Sequence, residues 1–138
     1  MENITRALDK IVVIEDDIAI NMLLSTVLEY NFEVKSFENG LEALAYLQKG
    51  NMPAIIISDL NTPEINGYDL LLQLKASSFF SAIPVLILSG EESSETRIKC
   101  LEAGADDYLL KPFNPRELEA RISVILKRYG RSPITKQY

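Results

Sequence analysis

Residues 54–63 read AIIISDLNTP, and this short stretch decides how the chain is expected to fold. Ala54 to Ile57 form an apolar run of strand length, which is typical of a parallel strand covered on both faces. The run delivers the carboxylate of Asp59 to the end of that strand, and Pro63 closes the loop that follows. A carboxylate beside a buried strand must be paired, metal-bound or used chemically. Asp59 is therefore the first candidate functional residue.

Similar apolar runs recur along the chain and alternate with helical patterns. Further strands are predicted at residues 11–14, 34–37, 85–88 and 108–110. Helices are predicted between them, from apolar residues at helical spacing such as Ile20, Leu23, Leu24 and Val27. The last helix begins with Asn114 as N-cap and Pro115 at its first position. Five βα units predict an α/β fold: a flavodoxin-like, doubly wound, five-stranded parallel sheet of order 2-1-3-4-5 with five helices, in three layers.

The composition is that of one ordinary globular domain. The chain has 138 residues, of which 47% are hydrophobic and 25% charged. The βα units occupy residues 8–128, and residues 129–138 are predicted to be a flexible tail or the stump of a linker. The single Cys100 excludes an internal disulfide, and the sequence contains no histidine, the usual general base. Any chemistry must therefore use carboxylates, hydroxyls and lysines.

The net charge and the hydrophobic pattern restrict the classes of partner that this chain is expected to bind. The net charge of −6 disfavours direct binding of nucleic acid by this chain, because phosphate backbones are bound by basic surfaces. No apolar stretch reaches the length of a membrane span, and residues 1–10 lack the pattern of a signal peptide. A cytoplasmic location without a membrane partner is therefore expected.

Polar side chains are found where the predicted strands end. They are Glu15 and Asp16 after the first strand, Asp59 at the end of the third, Ser89 after the fourth and Lys111 after the fifth. Ligands of a doubly wound sheet lie outside the carboxyl ends of its strands, so these side chains should meet in one pocket. Carboxylates with a hydroxyl and an ammonium group can support phosphoryl transfer.

These residues resemble the receiver domain of two-component response regulators over residues 8–128. The matching motifs are VVIED at 12–16, SDLNTP at 58–63, LILSG at 86–90 and DDYLLKPF at 106–113. The resemblance implies a signalling domain rather than an enzyme with a separate substrate. Asp59 would accept a phosphoryl group from a sensor histidine kinase or a phosphotransfer protein.

The resemblance also implies a Mg²⁺ cofactor, which would relieve the repulsion among crowded carboxylates. Its expected protein ligands are Asp16 and Asp59 directly, Glu15 through water, and the backbone carbonyl of Asn61. Lys111 and Ser89 would each hold a phosphoryl oxygen. As in relatives, the Lys111–Pro112 peptide is expected to be cis.

Phosphorylation would switch the surface of the fourth helix, fifth strand and fifth helix. Ser89 would move toward the phosphate and Tyr108 would rotate inward, which would control a homodimer or an effector. The predicted interface residues are Arg97, Ile98, Leu101, Asp106, Asp107, Glu117, Ala120 and Arg121. They would combine an apolar patch with opposite charges across a two-fold contact. The segment PFNPRELEARI at 112–122 favours receivers of the winged-helix transcription-factor class.

Other functions fit the sequence less well. A single-domain phosphorelay or chemotaxis-type regulator stays open, whereas a pseudo-receiver that signals without phosphate is disfavoured because every required group is present. A phosphatase of the haloacid dehalogenase kind would carry its nucleophile in a DxD pattern after the first strand, where this chain has Glu15-Asp16-Asp17. The same acids would repel the phosphate of a flavodoxin-like cofactor.

Overall fold

Strands and helices alternate along residues 8–131, the part of the chain that the computed structural model describes. The strands are β1 (Lys10–Ile14), β2 (Glu33–Phe37), β3 (Ile55–Asp59), β4 (Val85–Ser89) and β5 (Asp107–Leu110). The helices are α1 (Ile18–Leu28), α2 (Gly40–Gln48), α3 (Gly67–Ala76), α4 (Ser94–Glu102) and α5 (Pro115–Arg128). All neighbouring strands are parallel and their order is β2-β1-β3-β4-β5. The predicted flavodoxin-like fold is confirmed.

Each face of the sheet carries its own hydrophobic core. Ile55 and Ile57 of β3 pack on one face with α1 and α5 residues such as Ile122. Ile56, between them in the strand, packs on the other face with residues of α2 and α3 such as Leu71. Every residue of β3 and of β4 is buried. The continuous apolar runs therefore follow from burial on both faces, as expected for central parallel strands.

Side-chain caps begin the helices close to the strand ends. Asp17, Asn39, Asn66, Ser93 and Asn114 are the N-caps of the five helices, and each side chain accepts a hydrogen bond from an N–H of the first turn. Such caps satisfy N–H groups that would otherwise lack a partner. Because α1 and α5 start within a few residues of β1 and β5, the polar residues between them stay at the edge of the sheet.

Gly67 allows α3 to approach the end of β3 closely. A Cβ atom at this position would lie 2.4 Å from the carbonyl oxygen of Asp59 and 2.9 Å from the Cα of Leu60. The N–H of Gly67 donates to the carbonyl of Leu60 at 2.8 Å. The first turn of α3 is thereby held directly against the backbone that carries Asp59.

The first residues of the predicted tail contact the domain. The hydroxyl of Tyr129 donates to Asp106 at 2.7 Å, and partial burial together with this bond raises the pKa of Tyr129 to about 12. The guanidinium of Arg131 lies 2.8 Å from a carboxylate oxygen of Asp9. Residues 132–138 lie outside the described residues, so the predicted tail stays a prediction. No helix within residues 8–131 is long and apolar enough to cross a bilayer.

Candidate functional site

The carboxyl ends of β1, β3, β4 and β5 lie at one edge of the sheet. Parallel pairing places Ile14 opposite Ser58, Asp59 opposite Leu88 and Ser89 opposite Leu110, so these strands end at similar heights. The residues that end or follow these strands therefore share one edge of the sheet, as predicted.

Three carboxylates crowd together at this edge of the sheet. Oxygen atoms of Glu15, Asp16 and Asp59 all lie within 4.8 Å of one another. Glu15 is 1% exposed and Asp59 is 7% exposed, whereas Asp16 faces solvent. Burial raises the pKa of Glu15, although a hydrogen bond from Lys111 opposes the shift. A set of acidic oxygens that is open to solvent at Asp16 fits a hard divalent cation such as Mg²⁺.

Lys111 neutralises part of this negative charge. Its Nζ lies 2.6 Å from Oε1 of Glu15 and 2.7 Å from Oδ1 of Asp59. Burial alone would lower the pKa of Lys111, but the hydrogen bonds to Asp59 and Glu15 outweigh it and the net shift is upward. The ammonium group therefore stays charged beside both acids. The Lys111–Pro112 peptide is cis, which confirms the prediction.

The loop after β3 holds the second oxygen of Asp59. The N–H of Asn61 donates to Oδ2 of Asp59 at 3.2 Å, and the hydroxyl of Thr62 closes the loop by donating to the carbonyl of Ile65 at 2.7 Å. The structure thus places the Asn61 backbone beside Asp59. A role for its carbonyl as a metal ligand stays a prediction.

Ser89 and Tyr108 are connected through the backbone of Glu91. The Oγ of Ser89, a fully buried residue, accepts a hydrogen bond from the N–H of Glu91 at 3.0 Å. The hydroxyl of Tyr108 donates to the carbonyl of Glu91, also at 3.0 Å. Tyr108 is only 6% exposed, and this burial raises its pKa. The ring is therefore already largely buried in this structure, and its rotation on phosphorylation stays a prediction.

Four charged residues of the predicted interface are bonded within the chain: Asp106, Asp107, Glu117 and Arg121. Arg121 lies 2.9 Å from Asp107 and 2.8 Å from Glu117. The carboxylate of Asp106 accepts from the N–H of Val85 at 2.9 Å and from the hydroxyl of Tyr129. Charge pairs across a homodimer would have to replace or extend these bonds, and the homodimer stays a prediction.

The two apolar residues that α4 contributes to that interface, Ile98 and Leu101, lie on different sides of the helix. Arg97 borders a groove with Tyr108 and Arg121, and Leu101 follows Arg97 by one helical turn. Ile98 instead borders a groove on the α3 side. Ile98 is 50% exposed and Leu101 42%, and Ala120 of α5 is exposed as well.

Sequence reasoning missed two apolar side chains beside the acids. Ile18 is 70% exposed and Met22 65% exposed, and both line a pocket that also includes Glu15 and Asp16. Their i, i+4 spacing places them on one face of α1. The sequence did contain a sign of them: both residues are apolar, yet neither belongs to the stripe of apolar residues in α1 that includes the buried Leu24.

Comparisons with known proteins agree with this geometry. Residues 11–123 match the family model described as the response regulator receiver domain. The regulatory protein VanRc of Enterococcus gallinarum is 38% identical over 137 residues, a match that covers 94% of this chain and 58% of VanRc. The transcriptional regulatory protein CpxR homolog of Haemophilus influenzae is 40% identical over 122 residues, covering 88% of this chain and 52% of the relative. The chain spans about half the length of these curated relatives.

Solved structures match over almost their whole length. A response regulator structure from Chloroflexus aurantiacus superposes with a TM-score of 0.83 at 34% identity, covering 88% of this chain and 99% of that one. The chemotaxis response regulator CheY4 of Vibrio cholerae gives a TM-score of 0.80 at 32% identity, covering 86% and 99%.

Proposed function

The chain belongs to the response regulator receiver domain family, and from this premise we propose that it accepts a phosphoryl group on Asp59. The donor is a phosphohistidine of a sensor histidine kinase or of a phosphotransfer protein. One observation carries the proposal: Asp59 lies at the end of a buried strand with an ammonium group 2.7 Å from Oδ1 and two further acids beside it.

The reaction needs little from the protein beyond a nucleophile and correctly placed charges. An oxygen of Asp59 attacks the phosphorus in line, a new O–P bond forms, and the N–P bond of the donor breaks as its imidazole leaves. Lys111 then stabilises the negative charge on a phosphoryl oxygen. The hydroxyl of Ser89 turns from its contact with Glu91 to donate to another oxygen.

Mg²⁺ fits the acidic oxygens of this pocket. When bound, it supplies the positive charge that lets an anionic phosphoryl group approach three carboxylates. Asp16 and Asp59 would hold it directly, Glu15 through water, and Asn61 through its backbone carbonyl. Asp16 could bind the metal without breaking an existing ion pair, because it faces solvent and takes part in none of the ion pairs between described residues.

The exposed pair on α1 is suited to the phosphodonor protein. Ile18 and Met22 offer exposed apolar surface in a depression that they share with Glu15 and Asp16, the two acids next to Asp59. A partner that packs on them would bring its phosphohistidine next to Asp59. Such a donor is a cytoplasmic protein or domain, so we place this chain in the cytoplasm.

The phosphoryl group changes the surface formed by α4, β5 and α5, and it does so through Ser89 and Tyr108. Movement of Ser89 toward the phosphate alters its bond to Glu91, and the Glu91 carbonyl holds the Tyr108 hydroxyl. Tyr108 lies on β5 between α4 and α5, so the change reaches the α4–β5–α5 surface. This surface controls dimerisation or an effector; the name of the CpxR homolog, a transcriptional regulatory protein, supports an effector in transcription. The chain remains a signalling domain that catalyses only its own phosphorylation and dephosphorylation.

Phosphorylation is expected to need the metal. Incubation of the chain with acetyl phosphate and Mg²⁺ should add one phosphoryl group, and EDTA should slow the addition by at least about 100-fold because the acids then repel the donor. The change Asp16→Asn should raise the Mg²⁺ concentration needed by at least about tenfold. Intact mass spectrometry over time measures each rate.

Asp17→Asn is the matched control for the metal prediction. It makes the same chemical change one residue later, at the N-cap of α1, where asparagine caps a helix equally well. Its Mg²⁺ requirement should equal that of the wild type. Equal rates in EDTA and Mg²⁺ would contradict the metal site, and no addition under any condition would contradict the proposed function.

Lys111→Gln is expected to slow phosphorylation by about 100-fold, the typical cost of removing a group that stabilises transition-state charge. The substitution also leaves Glu15 and Asp59 without their shared cation. Initial rates of mass gain measure the effect at saturating Mg²⁺. Lys127→Gln removes an exposed lysine of α5 and should leave the rate unchanged. A wild-type rate in Lys111→Gln would remove Lys111 from the mechanism.

A further inference from the structure

A furrow between α3 and α4 has features of a docking surface. Tyr68 and Leu72 of α3 form one wall, and Ile98 and Ala103 belong to the other. The furrow encloses about 420 Å³. Leu72 is 42% exposed and Ile98 50% exposed, so each helix contributes a partly exposed aliphatic side chain to a groove that is open to solvent. Opposed aliphatic walls of this kind hold an apolar anchor better than scattered surface residues do.

The α4 wall is a regular helical stripe. Its members are Glu95, Ile98, Lys99 and Glu102, which follow the i, i+3, i+4, i+7 spacing of one helix face. The buried residue of α4 is Cys100, which lies on another face. The stripe therefore does not serve the core, and it differs from the side of α4 that carries Arg97.

Acidic residues surround the apolar walls. Glu95 and Glu102 lie two turns apart on the α4 side. The ammonium of Lys99 lies 4.1 Å from the centre of the Tyr68 ring, so this cation is engaged across the furrow. An adjoining pocket of about 320 Å³ shares Tyr68 and Lys99 with the furrow and adds two more acids, Asp69 and Glu91. Four carboxylates and one ammonium make the combined groove negative.

We propose that this furrow binds a basic, amphipathic helix of a partner protein. Aliphatic side chains of the helix pack on Leu72 and Ile98, and its lysines or arginines lie near Glu95 and Glu102. A second copy of this chain is a poor occupant, because each copy carries a net charge of −6 and the groove itself is acidic. The α3–α4 furrow is separate from the α4–β5–α5 surface and its occupation does not require phosphate.

The position of the furrow gives its occupant contact with the edge of the phosphorylation site. Its adjoining pocket is lined by Asn61 and Glu91. The Asn61 N–H bonds Asp59, and the Glu91 backbone bonds both Ser89 and Tyr108. A partner bound here touches two loops that hold the site residues without blocking the α1 side of the pocket.

A labelled peptide tests the proposal. The probe is a fluorescein-labelled helical peptide of about 14 residues, with leucines at i, i+3, i+4 and i+7 and lysines at the flanking positions. It is titrated with the unphosphorylated chain and followed by fluorescence anisotropy. Saturable binding is expected, and Glu95→Lys with Glu102→Lys should weaken it at least about tenfold. Leu72→Ser with Ile98→Ser should weaken it as much, since the anchors are lost.

A matched control distinguishes the effect of acids in the furrow from the effect of the chain's net charge. Glu29→Lys with Glu33→Lys makes the same charge change at exposed residues near the end of α1 and the start of β2, and it should change the affinity by less than about twofold. Thermal unfolding checks that every variant folds.

Three results would overturn the proposal. They are a lack of saturable binding, equal weakening by the Glu29 and Glu33 control, and unchanged binding after loss of Leu72 and Ile98. Sedimentation velocity supplies a further test, because a dimer that these same furrow variants dissociate would make the furrow a contact between copies instead. Since no phosphodonor is present, each outcome is independent of whether Asp59 is phosphorylated.

Discussion

Asp59→Asn is expected to take up no phosphoryl group from acetyl phosphate and Mg²⁺, where the wild type gains one. An amide cannot form the acyl phosphate, so the loss should exceed about 100-fold in rate. Asparagine is close to aspartate in size, and its one amide oxygen can still accept a hydrogen bond from either the N–H of Asn61 or Lys111, which bond different oxygens of Asp59. The substitution therefore tests chemistry more than folding. Intact mass spectrometry reads the result directly.

The matched control is Asp69→Asn. This aspartate lies in the first turn of α3 and is exposed, and it undergoes the same chemical change without contact to Asp59. It should be phosphorylated at the wild-type rate. The thermal midpoint of Asp59→Asn in EDTA should equal or exceed that of the wild type, because one of three crowded carboxylates is gone. A phosphoryl adduct on Asp59→Asn would place the acceptor elsewhere.

Gly67→Ala is expected to destabilise the fold by about 3 kcal/mol, near the upper end for overpacking. The new methyl group would lie 2.4 Å from the Asp59 carbonyl oxygen, so α3 and β3 must move apart. The displaced backbone carries both the nucleophile and the Asn61 N–H that holds it. Phosphorylation should therefore slow as well. Urea unfolding at saturating and at zero Mg²⁺ measures the loss of stability.

Gly90→Ala provides the comparison for Gly67. A Cβ atom at Gly90 would meet no atom within 4 Å, although this residue directly follows Ser89. Its substitution should change the free energy of unfolding by less than about 0.5 kcal/mol, as at ordinary surface positions. If the two substitutions destabilise the fold equally, the close approach of α3 to β3 does not explain the need for glycine at position 67.

The sequence predicted the sheet and the pocket because both depend on local patterns. Apolar runs of strand length gave β1, β3 and β4, and the topology rule for parallel sheets then brought Glu15, Asp59 and Lys111 together. The observed distances of 2.6 and 2.7 Å from the Lys111 Nζ agree with that expectation. The carboxyl ends of the strands lie at one edge in any parallel sheet, so this convergence could be predicted without knowing any side-chain conformation.

Features that depend on how helices pack were not predictable in this way. Helical spacing correctly placed Leu23 in α1 but could not show that it is 45% exposed. The α3–α4 furrow depends on the separation of two helices, and the contact of Lys99 with Tyr68 bridges that separation. The pairing of Arg121 with residues of its own chain depends on rotamers. These properties follow from tertiary packing rather than from periodicity.

Trapping of the acyl phosphate with borohydride tests the central claim most directly. Borohydride reduces an aspartyl phosphate to homoserine with loss of phosphate, and peptide mass mapping then locates the modified residue. After incubation with acetyl phosphate and Mg²⁺, homoserine is predicted at position 59 and should be absent from Asp59→Asn. Homoserine at position 16, a reduced glutamate at position 15, or an unmodified chain despite added phosphodonor would contradict the assignment of Asp59 as the phosphoryl acceptor.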